Sequence, residues 1–159
     1  MASIHVGVRD IAESALDVAA AIDFVSDAEH GGIALFVGKV RRRNLGREAV
    51  GIHYDIHRLL APRLMREMAE QIATDLGAPV SLYAEHACGH LAVGDTAIVV
   101  AAATAHRDEA FRACRALTEA IKYRAPVWKQ EHYVDGSSEW SEGAAWDQAG
   151  KVDEDRPDA

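Results

Sequence analysis

Lys122-Tyr-Arg-Ala-Pro-Val-Trp-Lys129 joins a helix to a strand, and the elements on either side of it decide the fold class. Pro126 has no backbone N–H and disfavours helical geometry in the residue before it. The helical pattern over Asp108–Tyr123 therefore stops here, and Val127–Tyr133 reads as a strand. Lys122 falls on or just past the last helical turn, and Lys129 in the extended segment. A short, stiff connection can bring both ammonium groups to one pocket, where clustered cations lower each other's pKa. A partly desolvated lysine can act as nucleophile or general base. The same spacing also fits two solvated surface charges.

Working outward, Ile4–Arg9 alternates as a strand, and Leu16–Ala28 reads as a helix burying Leu16, Ala19, Ala20 and Phe24. Ile33–Arg41 is a second strand, running into a basic loop, Arg42–Glu48, with turn chemistry at Asn44-Leu45-Gly46. Val50–His57 is a third. Pro62 suits the first turn of a helix reaching Leu76, with Leu64, Met68, Ile72 and Leu76 on one stripe. Val80–His86 is a strand, Cys88–Gly94 a turn region, and Thr96–Ala103 a buried strand. The helix Asp108–Tyr123 points Phe111, Cys114, Leu117 and Ile121 inward, and Asp135-Gly136 turns into a short return strand, Glu139–Ser141. Helices and strands mixed in this order give an α+β or α/β sandwich.

The 159 residues suffice for one domain with a real core, over residues 1–149, followed by an acidic tail, 150–159, that reads as disordered. Apolar runs such as Ala97–Ala103 are too short to span a bilayer, and the N-terminus does not read as a signal peptide. Two cysteines make no disulfide framework, so a reducing, cytoplasmic setting is the expectation. The net charge is −8, of which residues 135–159 carry −6. Against that background Phe36–Arg47 holds Lys39, Arg41, Arg42, Arg43 and Arg47 and no acid, which suggests a discrete anion site. A short basic patch on an acidic domain argues against a general nucleic-acid surface.

Arg41, at a strand end, is the strongest anion ligand of that patch, because a guanidinium grips phosphate through two parallel bonds. Thr104-Ala-His106-Arg107-Asp108 stands at a strand-to-helix junction, where free N–H groups favour an anion and His106 suits acid–base chemistry. On local evidence helix capping and a surface arginine account for it more simply. His86-Ala-Cys88-Gly89-His90 lacks a fourth ligand and is broken by Gly89, so no metal site is assigned. There is no Gly-x-Gly-x-x-Gly fingerprint, Walker loop or nucleophile elbow.

Four blocks in order resemble the catalytic subunit of molybdopterin synthase: Phe36–Gly46, Gly89–Asp95, Ala105–Phe111 and Ile121–Glu131, closing with Asp135-Gly136 and Trp140. The resemblance spans roughly residues 31–141. It implies an α/β hammerhead-type fold with a mixed, mainly antiparallel sheet, and a homodimer. Each copy would bind a small ubiquitin-like sulfur-carrier subunit with a C-terminal Gly-Gly, giving a heterotetramer. It further implies conversion of cyclic pyranopterin monophosphate to molybdopterin, with dithiolene sulfurs delivered from the carrier's thiocarboxylate. No resident cofactor is implied; the pterin is substrate.

By the same resemblance, Lys122 and Lys129 are catalytic, and Arg41, His106 and Arg107 join them in binding substrate. Two positions depart from the family's pattern. Ala87 stands where an arginine is usual, and Ser141-Glu-Gly-Ala144 follows Trp140 where an arginine is often found. A carrier-binding homologue with weak or no catalysis is the alternative these losses suggest.

Overall fold

The computed structural model describes residues 2–141; the acidic tail anticipated at 150–159 lies outside the described residues. The elements run β1 (Ala2–Asp10), α1 (Val18–Val25), β2 (Gly32–Lys39), β3 (Arg43–Asn44), β4 (Arg47–Ile56), α2 (Leu60–Leu76), β5 (Val80–Ala92), β6 (Thr96–Thr104), α3 (Arg107–Arg124), β7 (Val127–Tyr133) and β8 (Ser138–Ser141). The sheet orders β2-β6-β5-β4-β7-β8, with β1 parallel to β5 and β3 paired to β4. The other pairings are antiparallel, so the sheet is mixed but mainly antiparallel, and the fold is α+β as expected.

β6 carries the centre of the core. Its even residues, Val100 and Ala102, face α2 and α3 with Met65, Leu82, Leu117 and Ile121. Its odd residues, Val99, Ala101 and Ala103, face α1 with Ala21, Val25 and Tyr83. A strand covered on both faces needs a continuous apolar run, which Thr96–Ala103 supplies. Each fully buried Leu, Ile or Met contributes about 1.5–3 kcal/mol.

Several boundaries differ from the sequence reading. α1 is only eight residues long, because Asp17 caps it by accepting the Ala19 and Ala20 N–H groups. It buries Ala21 and Val25, whereas Ala19, Ala20 and Phe24 are exposed. The basic loop is a tight hairpin, β3–β4, turning at Leu45 (φ 48°) and Gly46 (φ 75°). β5 does not stop at His86. Gly89 adopts φ 96°, and the strand continues to Ala92 while its neighbour changes from β1 to β4. Cys88 is consequently buried rather than placed in an exposed turn. Phe111 does not point inward; it is 63% exposed beside an open groove.

Candidate functional site

The helix-to-strand connection forms as the proline requires. α3 ends with Lys122 and Arg124 in its last turn, Ala125 caps it through its N–H to the Ile121 carbonyl, and Val127 opens β7. Lys122 is exposed, its ammonium 5.5 Å from the centroid of the Tyr123 ring. Lys129 pairs in register with Tyr54 of β4, and Glu131 with Ile52, so Lys129, Glu131 and Tyr54 share one face of the sheet. The Lys129 Nζ lies 3.7 Å from Glu131 Oε1; the lysine side chain is 33% exposed and the carboxylate 6%. A cation held against a buried carboxylate keeps a fixed position, which a freely solvated lysine does not.

Tyr54 sets the dielectric of this corner. Burial, reinforced by the charge of Glu131, pushes its phenol up to about 12, so it remains protonated and neutral. The His86 ring stands edge-on to it at 4.9 Å. Burial lowers His86 to about 4, against the opposing effect of the bond from its Nδ1 to the Ala87 carbonyl at 2.8 Å. His86 is therefore a neutral packing group. Neither Tyr54 nor Glu131 drew a role from the sequence. Lys129-Gln-Glu131 did hold a usable signal, since alternation on a strand puts both charges on one face.

Arg41 lies just beyond the end of β2 at Lys39, the strand whose first residue, Gly32, packs against Arg107, so it stands away from Arg107. The basic patch is smaller than its sequence suggests, because Arg47 is committed elsewhere. Its guanidinium bonds Glu139 at 2.6 Å, Ser137 at 2.6 Å and Asp135 at 3.2 Å, and stacks 3.6 Å over the Tyr133 ring. That leaves Lys39 and Arg41–Arg43 as its cations.

His106 and Arg107 are not brought to this corner within one chain. His106 occupies the N-cap of α3 without a side-chain cap bond, so its imidazole is not spent on capping. Arg107 packs against the start of β2, where a Cβ on Gly32 would lie 3.2 Å from its Cα. Fifteen residues of helix separate Arg107 from Lys122, about 22 Å at 1.5 Å per residue. The five residues therefore divide between the two ends of α3. Between the ends runs a groove of about 310 Å³, walled by Ala34 and Phe36 of β2 and by Phe111, Cys114 and Thr118 of α3. Thr118 lies one turn before Lys122, so the groove leads toward the lysine. A larger groove, about 580 Å³, lies between α2 and β1 and holds none of these residues.

The sequence model of the MoaE protein family matches residues 11–124, most of the chain. The chain belongs to the MoaE family. The molybdopterin synthase catalytic subunit of Synechococcus elongatus is 39% identical over 128 residues, covering 80% of this chain and 78% of that one. The catalytic subunit of Pyrococcus abyssi is 38% identical, covering 77% and 82%. The molybdopterin synthase structure from Staphylococcus aureus superposes with a TM-score of 0.78 at 22% identity, covering 87% of this chain and 96% of that one. A complex of subunits 1 and 2 of the molybdopterin-converting factor from Helicobacter pylori gives 0.64 at 22% identity, covering 83% and 86%. The two structures establish that this MoaE chain has the molybdopterin synthase fold.

Ala87, the position at which the sequence reading expects an arginine, has a defined structural setting. Ala87 is fully buried in the cluster under α1. Its register partner on β1 is Arg9, which places a guanidinium on the neighbouring strand instead.

Proposed function

We infer that this chain is the catalytic subunit of a molybdopterin synthase, a sulfurtransferase that converts cyclic pyranopterin monophosphate to molybdopterin. The observation that carries the reading is family membership together with the fixed cation corner formed by Lys129 and Glu131 beside the end of α3. A small ubiquitin-like carrier subunit brings sulfur as a C-terminal thiocarboxylate. The groove between β2 and α3 suits an extended, small-residue Gly-Gly tail, since it is largely apolar and leads toward Lys122. Lys122 orients or activates the thiocarboxylate. Lys129 assists proton transfer or anion binding, and Arg41 holds the cyclic phosphate. Fixed cations stabilise the oxyanion charge that develops as sulfur leaves the carrier, and confining tail and pterin together makes the transfer a local reaction. The pterin and the thiocarboxylate are the reactants, and the reading assigns no resident cofactor.

The division of the site along α3 supports a homodimer with shared sites. In this reading His106 and Arg107 of one copy meet the lysine corner of its partner, and both contribute to holding the substrate. The test is in vitro conversion of cyclic pyranopterin monophosphate with a verified thiocarboxylated carrier. Lys122→Ala is expected to abolish product while leaving the fold intact; near-normal turnover would refute its role. Mixing inactive Lys122→Ala with inactive His106→Ala is expected to restore part of the activity, because mixed dimers contain one intact shared site. No recovery in demonstrably mixed dimers would refute the sharing.

A further inference from the structure

The face of the sheet opposite Lys129 and Glu131 gathers three histidines. His53 of β4 pairs in register with His90 of β5 on one side and with Gln130 of β7 on the other. Trp140 of β8 pairs with Gln130, so its side chain lies on the same face. The His53 and His90 rings are 4.2 Å apart between centroids, His90 and His132 are 6.0 Å apart, and Trp140 meets His53 edge-on at 6.4 Å. His53 Nδ1 and His132 Nε2 are buried and have no hydrogen-bond partner among the described residues. Neutral imidazoles can form such a patch. Imidazolium ions at these separations repel one another, and their desolvation is uncompensated.

We propose that this face is a pH-sensitive latch: protonation of the packed imidazoles of His53, His90 and His132 releases the return strand β8, which Trp140 holds against them. β8 is the element that can yield, being a four-residue strand at the edge of the sheet that pairs, among the described residues, with β7 alone. On this face its contacts are Trp140 on His53 and the bond from Gln130 Nε2 to Ser138 Oγ at 3.1 Å. Its opposite face is held by Glu139 on Arg47. The titratable groups facing the cluster are His53 and Asp55 from β4, His90 from β5 and His132 from β7; β8 presents Trp140 and Ser138. Asp55 alone favours the charged form of His53. Burial and the two neighbouring histidines outweigh it and lower His53 from its ordinary value. His53 is therefore held in its neutral form more firmly than an ordinary imidazole, and charging it costs the patch its packing. Because β7 carries Lys129 and Glu131 on its other face, opening of β8 removes the outer ladder from the strand that positions them.

The test is amide hydrogen exchange of the full chain followed by NMR between pH 7.5 and pH 5, corrected for intrinsic exchange, with the histidine ring protons recorded in parallel. The amides of the β7–β8 ladder, at Lys129, Glu131, Glu139 and Ser141, are expected to lose protection about ten-fold more than those of β5 and β6, the equivalent of one unit of coupled titration. The half-exposed His90→Gln is expected to weaken the response, and His53→Gln/His90→Gln/His132→Gln to abolish it. If the triple variant fails to fold, His90→Gln alone decides. Ladder protection that is unchanged with pH, or a response that persists undiminished in His90→Gln, overturns the latch.

Discussion

Glu85→Gln tests the account of how β1 is held to the sheet. Glu85 is 5% exposed on β5, yet it carries a charge. Its Oε1 accepts from His5 Nε2 at 3.0 Å and Arg9 Nη2 at 3.1 Å, and its Oε2 from Arg9 Nε at 3.2 Å. Its register partner is Gly7, where a Cβ would come within 3.3 Å of Oε1, so the absence of a side chain leaves room for the carboxylate. Gln keeps the shape but removes the charge and turns an NH2 group toward donors. Breaking a wholly buried pair costs about 3–5 kcal/mol. Here His5 and Arg9 are 40% and 38% exposed, so water recovers part of the loss. The expected destabilisation is about 1–3 kcal/mol, and 2 kcal/mol corresponds to a fall in Tm of about 4–8 °C for a chain of this size.

The pH dependence makes the test specific. Burial alone would raise the Glu85 pKa, but the bonds from Arg9 and His5 outweigh it, leaving the carboxyl below its ordinary value of 4.5. A depressed carboxyl stabilises the fold above its unfolded pKa and loses that contribution as pH falls through its folded value. Urea midpoints of wild type and Glu85→Gln should therefore differ fully at pH 7 and converge below about pH 4.5. An equal gap at pH 7 and pH 3.5, or no gap at pH 7, would show that the carboxylate charge does not hold β1.

Three further outcomes are expected. Gly51→Ala places a Cβ 2.5 Å from the Leu91 carbonyl oxygen, a backbone atom that can move only with β5, and should cost at least about 1–3 kcal/mol in urea unfolding; wild-type stability would contradict the close approach of β4 and β5. Leu45→Asn should raise stability by about 0.5–1 kcal/mol, because Leu45 is 68% exposed and held at φ 48°, a conformation asparagine tolerates better; an unchanged midpoint would show that the turn is not strained. Glu131→Gln should lower kcat/KM at least about ten-fold with the fold retained, since Lys129 loses its buried carboxylate; full activity would separate that ion pair from the chemistry.

What was legible in the sequence followed from how locally each feature is determined. The run Thr96–Ala103 could be read because burial on both faces leaves an unbroken apolar record in the chain. The α2 stripe could be read because Leu64, Met68 and Ile72 all pack on one core at helical spacing. The helical pattern at Leu16–Ala28 ran past the real ends because Asp17 fixes the start through its own side chain, an interaction worth about as much as several residues of propensity. Gly89 read as a turn because a positive φ usually marks one; here it lies within a strand that exchanges partners, and only the tertiary pairing shows this.

The site divides in the same way. The cationic motifs are continuous stretches, so their presence was visible. Tyr54 and Lys129 meet only through the register of β4 on β7, across about seventy residues of chain. Whether His106 and Lys122 act on one substrate depends on the length of α3, which keeps them about 24 Å apart within one copy. A helix of eighteen residues is too stiff to fold its ends together, so these residues can serve one reaction only if the substrate spans the helix or a second copy supplies one end. The complementation of Lys122→Ala by His106→Ala separates those cases, because a spanning substrate leaves both variants inactive however the copies are mixed, whereas shared sites regain activity in the mixed dimer.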